Sequence, residues 1–283
     1  MKKYALIGHP LGHSLSPQIH TRLMELAGID GSYELLDIPP EELKESFDRL
    51  AKLDGFNATI PHKIGIIPYC THLDASADRF GSVNCVKNGD GKTGYNTDVF
   101  GFSRSIDMLG ANLASHVLVI GCGGVGRMIA AEAAYKGGDV TVAVLPEFLI
   151  DAEKTISQIK SRMPRARIKT LEIRGEVLSA GDFGGNVPGF DLVINASPVG
   201  MFPKSDKMPC TEDIIAHSNF VFDVVYNPKE TLLSKTARQL GKPAMTGMAM
   251  LVLQAAAAQE IWNGVKFAEA DLRQLISDME ELI

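Results

Sequence analysis

The four cysteines, Cys70, Cys85, Cys122 and Cys210, contain no C-x-x-C pair, so the chain encodes neither a zinc ribbon nor a dithiol redox motif. No apolar run reaches the roughly 18 residues needed to cross a bilayer. The closest, Met248 to Ala258, is interrupted by Gln254, which sets aside a membrane as partner. Lysines and arginines form no basic stripe and the net charge is −6, which sets aside nucleic acid. A small molecule is left as the ligand, for a chain expected to be a monomer or a homodimer. The opening Met1-Lys2-Lys3-Tyr4 enters a strand-like run without an apolar signal-peptide stretch, and with the scattered cysteines this predicts a cytoplasmic protein.

What is present is 283 residues, 45% of them apolar, enough to fill two ordinary cores. The first third alternates strand and helix signals: Tyr4 to Ile7, a helix from Pro17 with Ile19, Leu23 and Leu26 on one face, Tyr33 to Ile38, then a helix carrying Leu43, Phe47 and Leu50. Such alternation predicts a mostly parallel sheet in an α/β fold. Val83 to Lys87 and Thr93 to Asn96 flank Asn88-Gly89-Asp90-Gly91, a hairpin turn expected to give that sheet an antiparallel edge. Later strands are expected at 117–120, 140–144, 168–173, 191–195, 221–225 and 243–245.

Two features carry chemistry. Phe56, Ala58 and Ile60 alternate with Asn57 and Thr59 as a short strand, and Pro61 fits the first position of a following helix, so Lys63 falls at a strand's carboxyl end, where open α/β sheets place ligands. Gly94-Tyr95-Asn96-Thr97-Asp98 then supplies a carboxylate from a separate element. An ammonium and a carboxylate so placed suit proton transfer; the plainer reading is a surface lysine and a helix-capping aspartate. The second feature is Gly121-Cys122-Gly123-Gly124-Val125-Gly126, a G-x-G-x-x-G turn with an apolar strand before it, an alanine-rich helix after it and strand Val140 to Val144 beyond. In that setting the glycines let backbone N–H groups approach a pyrophosphate at the helix start. The second strand ends Val144-Leu145-Pro146, with Glu147 the nearest charge, so neither the acid that selects NAD nor the arginine that selects NADP stands there.

Several further segments join these two, and the ordered set resembles the shikimate dehydrogenase family from end to end. They are Leu6-Ile7-Gly8-His9-Pro10-Leu11-Gly12-His13-Ser14-Leu15-Ser16-Pro17, Asn57 to Lys63, Gly81-Ser82-Val83-Asn84, Gly94 to Asp98, Asn195 to Met201, Asp223-Val224-Val225-Tyr226-Asn227-Pro228 and Met250 to Ala255. The resemblance implies a discontinuous substrate domain, residues 1–104 plus 247–283, around a Rossmann-type dinucleotide-binding domain, 105–246, with the site in the cleft between them. It implies reduction of 3-dehydroshikimate to shikimate, a step toward chorismate and the aromatic amino acids. Lys63 and Asp98 match the family's catalytic pair, and Ser14, Ser16, Thr59, Asn84, Tyr226 and Gln254 match positions that hold the substrate or neighbouring catalytic groups. Gly121, Gly123, Gly124, Val125, Gly126, Ser197, Val224, Gly247 and Met250 match positions expected to contact NAD(P).

Duller roles stand beside these. Ser16 before Pro17 reads as a helix N-cap, and Gln254 as a satisfied core amide. His9, His13 and His20 lack acids at matching spacing, so no metal is expected. Within the resemblance the departure that matters is Val144-Leu145-Pro146, which aligns with the family's Asn-Arg-Thr, the clamp of the 2′-phosphate. NADP is the family default; the missing arginine at Leu145 leans the expectation toward NAD, unless Arg127 or Lys154 reaches the phosphate. The alternatives are a quinate/shikimate or aminoshikimate paralogue and, in another class, a catalytically silent sensor of a shikimate-like ligand.

Overall fold

A computed structural model of the protein describes residues 1–12 and 14–283. His13 lies outside the described residues. The chain forms two compact units, Met1–Gly101 with Leu251–Leu282, and Phe102–Met250 with the last residue. Each is built on a six-stranded sheet.

In the first unit the strands are β1 (Lys2–Gly8), β2 (Gly31–Asp37), β3 (Gly55–Ala58), β4 (His72–Leu73), β5 (Cys85–Lys87) and β6 (Thr93–Tyr95), in the order β2-β1-β3-β5-β6-β4. β1 lies parallel between β2 and β3, and β5 runs antiparallel to both its neighbours. The Asn88 to Gly91 turn makes the expected hairpin, but the hairpin is interior: β4 pairs parallel outside β6 and forms the edge instead. Two residues are too few to show any hydrophobic period, so β4 left no signal. The reversal of β5 has a functional consequence, because it brings the amino end of β5 beside the carboxyl ends of β3 and β6.

The helix Ser16–Leu26 buries Ile19, His20, Leu23 and Met24, while Leu26, expected on the inner face, is exposed. The apolar stripe is therefore rotated, and an imidazole occupies part of it. His20 stacks on Tyr33 at 3.9 Å between ring centres and lies 5.5 Å from Trp262, which itself stacks on Tyr4. Tyr4 Oη donates to Asn263 Oδ1, Asn263 Nδ2 donates to Gln259 Oε1 (2.8 Å each), and Gln259 Nε2 donates to His20 Nδ1 at 3.0 Å. An amide nitrogen only donates, so Nδ1 is the acceptor and the ring proton sits on Nε2, which is buried without a partner.

The second unit holds β7 (His116–Ile120), β8 (Asp139–Val144), β9 (Arg167–Glu172), β10 (Phe190–Asn195), β11 (Ser218–Asp223) and β12 (Ala244–Thr246), in the order β12-β11-β10-β7-β8-β9 and parallel throughout. Val117 to Ile120 and Leu192 to Ile194 are buried, the near-continuous apolar run of strands covered on both faces. The chain winds outward from β7 to β9, then returns to β10 on the other side. The order reverses between β7 and β10, and ligands of such sheets bind at the carboxyl ends of the strands at that point. Among the described residues no helix is long and apolar enough to cross a membrane.

Burial without a partner on Nε2 holds the His20 imidazole neutral, its pKa pushed down to about 3. The native state therefore binds fewer protons than the unfolded chain between about pH 6.5 and 3, and stability present above that window is lost as pH falls through it. At full extent the loss is about 5 kcal/mol. In His20→Phe, which keeps an aromatic ring in the stack, unfolding free energy should fall less steeply between pH 6.5 and 4, by up to about 1.4 kcal/mol per pH unit. Denaturant titrations at a series of pH values check this, and parallel slopes in the two proteins would contradict it.

Candidate active site

The carboxyl ends of β3 and β6 and the amino end of β5 gather four polar side chains. After β3, Thr59 O accepts from His62 N at 2.8 Å, closing a turn, and His62 Nε2 donates to Ile38 O at 2.6 Å. Pro61 stands just before the short helix His62–Gly65, at its N-cap and not inside its first turn as expected. Ile60, expected within the strand, is exposed, since β3 ends at Ala58. Lys63 is held twice: its carbonyl accepts from Val83 N at 2.8 Å, and its Nζ donates to Asp98 Oδ2 at 2.6 Å. Both side chains are largely covered, with 28% and 19% of their surfaces exposed, so this is no solvated surface pair.

The other carboxylate oxygen, Asp98 Oδ1, accepts from Asn84 Nδ2 at 2.8 Å. Asn84 has no choice of orientation, because its Oδ1 accepts both the N–H (2.6 Å) and the hydroxyl (3.0 Å) of Thr97. Thr97 Oγ1 also lies 3.4 Å from Gln254 Oε1, and Gln254 Nε2 donates to Leu251 O at 2.9 Å. Behind them, Tyr33 Oη donates to Asn57 Oδ1 at 2.9 Å and Asn57 Nδ2 donates to Asn84 O at 3.0 Å. Neither Thr97 nor Asn57 stands out as a site residue in the sequence. The signal available was three asparagines, Asn57, Asn84 and Asn96, each at an end of one of three adjacent strands.

Ser14 and Ser16 lie on the chain from β1 into the first helix. Ser16 is not the N-cap: it is the first helical residue, its hydroxyl caps nothing, and Ser14 Oγ accepts from Ser16 N at 3.2 Å. Removing the Ser16 hydroxyl therefore carries none of the stability cost of a lost cap. Tyr226 belongs to the second unit, exposed on the loop after β11. His9 pairs with Asp37 and His20 is stacked among aromatic rings.

In the second unit the glycine turn forms at the switch point. Gly121 has φ +100°, and a Cβ at Gly126 would lie 2.4 Å from Gly121 O, so the helix Gly124–Tyr135 can meet the strand end this closely only with glycine there. At Gly123 and Gly124 a Cβ would meet nothing within 4 Å. The helix has no side-chain cap, leaving its first N–H groups facing that open, exposed rim: a cradle suited to a pyrophosphate. On adjacent loops Ser197 Oγ donates to Asn195 Oδ1 at 2.7 Å, and a Cβ at Gly247 would lie 1.9 Å from Val224 O, which explains the glycine. Val125 and Met250 stand at the starts of the two helices that follow the turns. Leu145 packs against the unit's core, and Pro146, Glu147 and Phe148 are exposed beyond it. Arg127 Nε donates to Cys122 O at 3.2 Å, and Lys154 pairs with Asp151 at 3.2 Å.

A sheet in this order, opened by this turn, defines with the lysine–carboxylate pair a class: the α/β oxidoreductases that work with a nicotinamide dinucleotide. A family model described as the shikimate dehydrogenase substrate binding domain matches residues 6–86. A shikimate dehydrogenase (NADP(+)) of Caldanaerobacter subterraneus is 35% identical over 270 residues, covering 94% of this chain and 93% of the relative. A solved shikimate dehydrogenase in complex with NADP+ superposes with a TM-score of 0.85 at 31% identity, over 98% of this chain and 95% of that one. Shikimate 5-dehydrogenase of Listeria monocytogenes, solved with shikimate and NAD, gives a TM-score of 0.85 at 27% identity, over 97% and 96%. The chain belongs to the shikimate dehydrogenase family.

One buried acid beside the switch-point loops yields a stability test. Asn195 and Asp223 are register partners at adjacent strand ends, and Asp223 accepts from Asn195 Nδ2 (2.9 Å), Val225 N (3.0 Å) and Thr231 Oγ1 (2.7 Å). Burial outweighs these donors and raises its pKa to about 6. Between about pH 4 and 6 the native state thus binds more protons than the unfolded one, so this group lowers stability as pH rises. Asp223→Asn keeps two accepting contacts and can donate to Thr231, and should gain on the unsubstituted protein by up to about 3 kcal/mol across that window. A difference independent of pH would contradict the assignment.

Proposed function

We propose that the chain interconverts 3-dehydroshikimate and shikimate, with the first unit holding the ring and the second the dinucleotide. The observation that carries this reading is the 2.6 Å contact between Lys63 Nζ and Asp98. A bound nicotinamide dinucleotide supplies the hydride equivalent to the ketone carbon; everything else falls to side chains. Negative charge then grows on the ketone oxygen, and Lys63, its ammonium aimed by Asp98, donates a proton there. Asp98, anchored through Asn84, holds the ammonium in one place, and the neutral amine left after the transfer takes a proton back from solvent. Asn84 retains one N–H and Thr59 its hydroxyl for ring hydroxyls. Ser14, Ser16 and Gln254 add neutral donors around the carboxylate and ring. Intact Lys63 and Asp98 speak against a silent sensor, and the relatives' names favour shikimate over quinate or aminoshikimate.

NADP is the assigned cofactor, with support from the relatives' names and from the complex solved with NADP+. The lean toward NAD read from Leu145 finds no support there. A missing arginine removes one charge-assisted contact, roughly 1.5–3 kcal/mol, and other cations on the same rim can replace it. Leucine at this position has its own structural reason, since its side chain packs inward. Arg127, exposed at the start of the helix, is the nearest such cation in sequence to the turn.

Purified protein given shikimate and oxidised dinucleotide should produce reduced dinucleotide, and Lys63→Ala should lower kcat by at least about a hundredfold with a smaller change in KM for shikimate. Near-native kcat in that variant would falsify the proton-donor role. On the cofactor side, Glu147→Lys replaces an exposed negative charge beyond β8 with a positive one. The ratio of kcat/KM for NADP over NAD should rise about five- to tenfold, the equivalent of about 1–1.4 kcal/mol. An unchanged ratio would place the 2′-position of the cofactor away from this rim.

A further inference from the structure

A carboxylate that the chemistry above does not use grips the loop that carries the two serines. β1 and β2 are parallel and in register with Gly8 opposite Asp37, so both strands end at the same level. Asp37 turns both oxygens toward the chain leaving β1: Oδ1 accepts from His9 Nδ1 at 2.7 Å and Oδ2 accepts from Leu11 N at 2.9 Å. Pro10 between them has no N–H, so Leu11 N–H is the next backbone donor after that of His9. The hydrogen bond from His9, and after it the one from Leu11 N–H, hold the Asp37 carboxyl below the ordinary carboxylate range. The same loop is tied on its other side by His9 N donating to Ile60 O at 3.0 Å, on the segment that leads to Lys63. Three residues beyond Leu11 comes Ser14, whose hydroxyl accepts from Ser16 N.

We infer that Asp37 is a positioning residue for substrate-carboxylate recognition, fixing through His9 and Leu11 the loop that presents Ser14 and Ser16. This rests on the reading of the site as a shikimate site. Neutral hydroxyls hold a carboxylate well only when their positions are set beforehand, since each ordering step at binding subtracts from affinity. Only two residues of sequence separate the anchored Leu11 from Ser14, few enough for the anchor to limit where the hydroxyls lie. The pair is half exposed, at 42% and 47% for His9 and Asp37, and exposed ion pairs contribute little to global stability. Its effect therefore belongs in the loop's geometry and not in the melting temperature.

The test compares shikimate with its methyl ester, which keeps the ring and hydroxyls but lacks the negative charge, in the unsubstituted protein, Asp37→Ala and Asp37→Asn. KM for shikimate should rise roughly tenfold in Asp37→Ala and less in Asp37→Asn, which keeps one acceptor for Leu11 N–H. In both variants kcat, KM for the dinucleotide and the melting temperature should barely move. The preference for acid over ester should shrink in Asp37→Ala by about the factor lost in KM, because a carboxylate remote from the reacting carbon is held equally in ground and transition states. A preference left intact would overturn the inference, and so would kcat and dinucleotide KM deteriorating in step with shikimate KM, the pattern of general damage. No turnover of shikimate by the unsubstituted protein would overturn the parent reading, and this inference with it.

Discussion

The arrangement depends on one carboxylate with both oxygens occupied. Asp98 takes the Lys63 ammonium on one side and the Asn84 amide on the other, and the amide cannot flip because Thr97 donates twice to its oxygen. Each member of the set is left one useful geometry. A half-satisfied buried network costs more than an apolar core, whereas a satisfied one rigidifies its surroundings. Topology makes the network possible. Lys63 follows β3, Asn84 precedes β5 and Asp98 follows β6, and only the antiparallel run of β5 puts those three chain ends side by side.

The second unit answers a different demand with the same economy of side chains. Its sheet offers a strand end, a glycine-rich turn and a helix start without a side-chain cap, so the surface suited to a pyrophosphate is largely backbone. Polar side chains are used instead to brace the neighbouring loops: Asn195 with Ser197 on one, Asp223 with Val225 and Thr231 on the other. Burying Asp223 carries a penalty that rises with pH, and the loops it ties together are those on which Ser197, Val224 and Tyr226 stand.

Much of this was legible in the chain. Parallel strands with apolar runs, the glycine turn in its βαβ setting and the Asn-Gly hairpin all follow from short-range rules, and each formed. That Lys63 and Asp98 can meet is legible too, because a cation and an acid each stand just beyond the end of a strand. What escaped were features decided by three-dimensional neighbours. Thr97 reads as an ordinary helix-start residue, and only the fold reveals that both its donors face Asn84. Ser16 obeys the sequence rule for a cap, yet the helix begins one residue earlier than that rule implies, at the boundary where such rules are weakest. His20 interrupts an apolar stripe as a surface residue would, and the stack of Tyr33 and Trp262 that buries it comes from distant parts of the chain. The missing arginine at Leu145 was a true absence, but cofactor choice is a sum over several contacts, and one position does not determine it.

In the proposed mechanism Lys63 and Asp98 act as one unit, the carboxylate serving only to place the ammonium. The most direct measurement is a double-mutant cycle in kcat/KM for shikimate oxidation, using Lys63→Ala, Asp98→Asn and the two combined. If the claim holds, the combined variant should be no more than about threefold worse than the poorer single variant, because Asp98 has nothing left to place once the ammonium is gone. Losses that multiply, so that the combined variant falls by the product of the two single effects, would mean that the two groups act independently and would contradict the account.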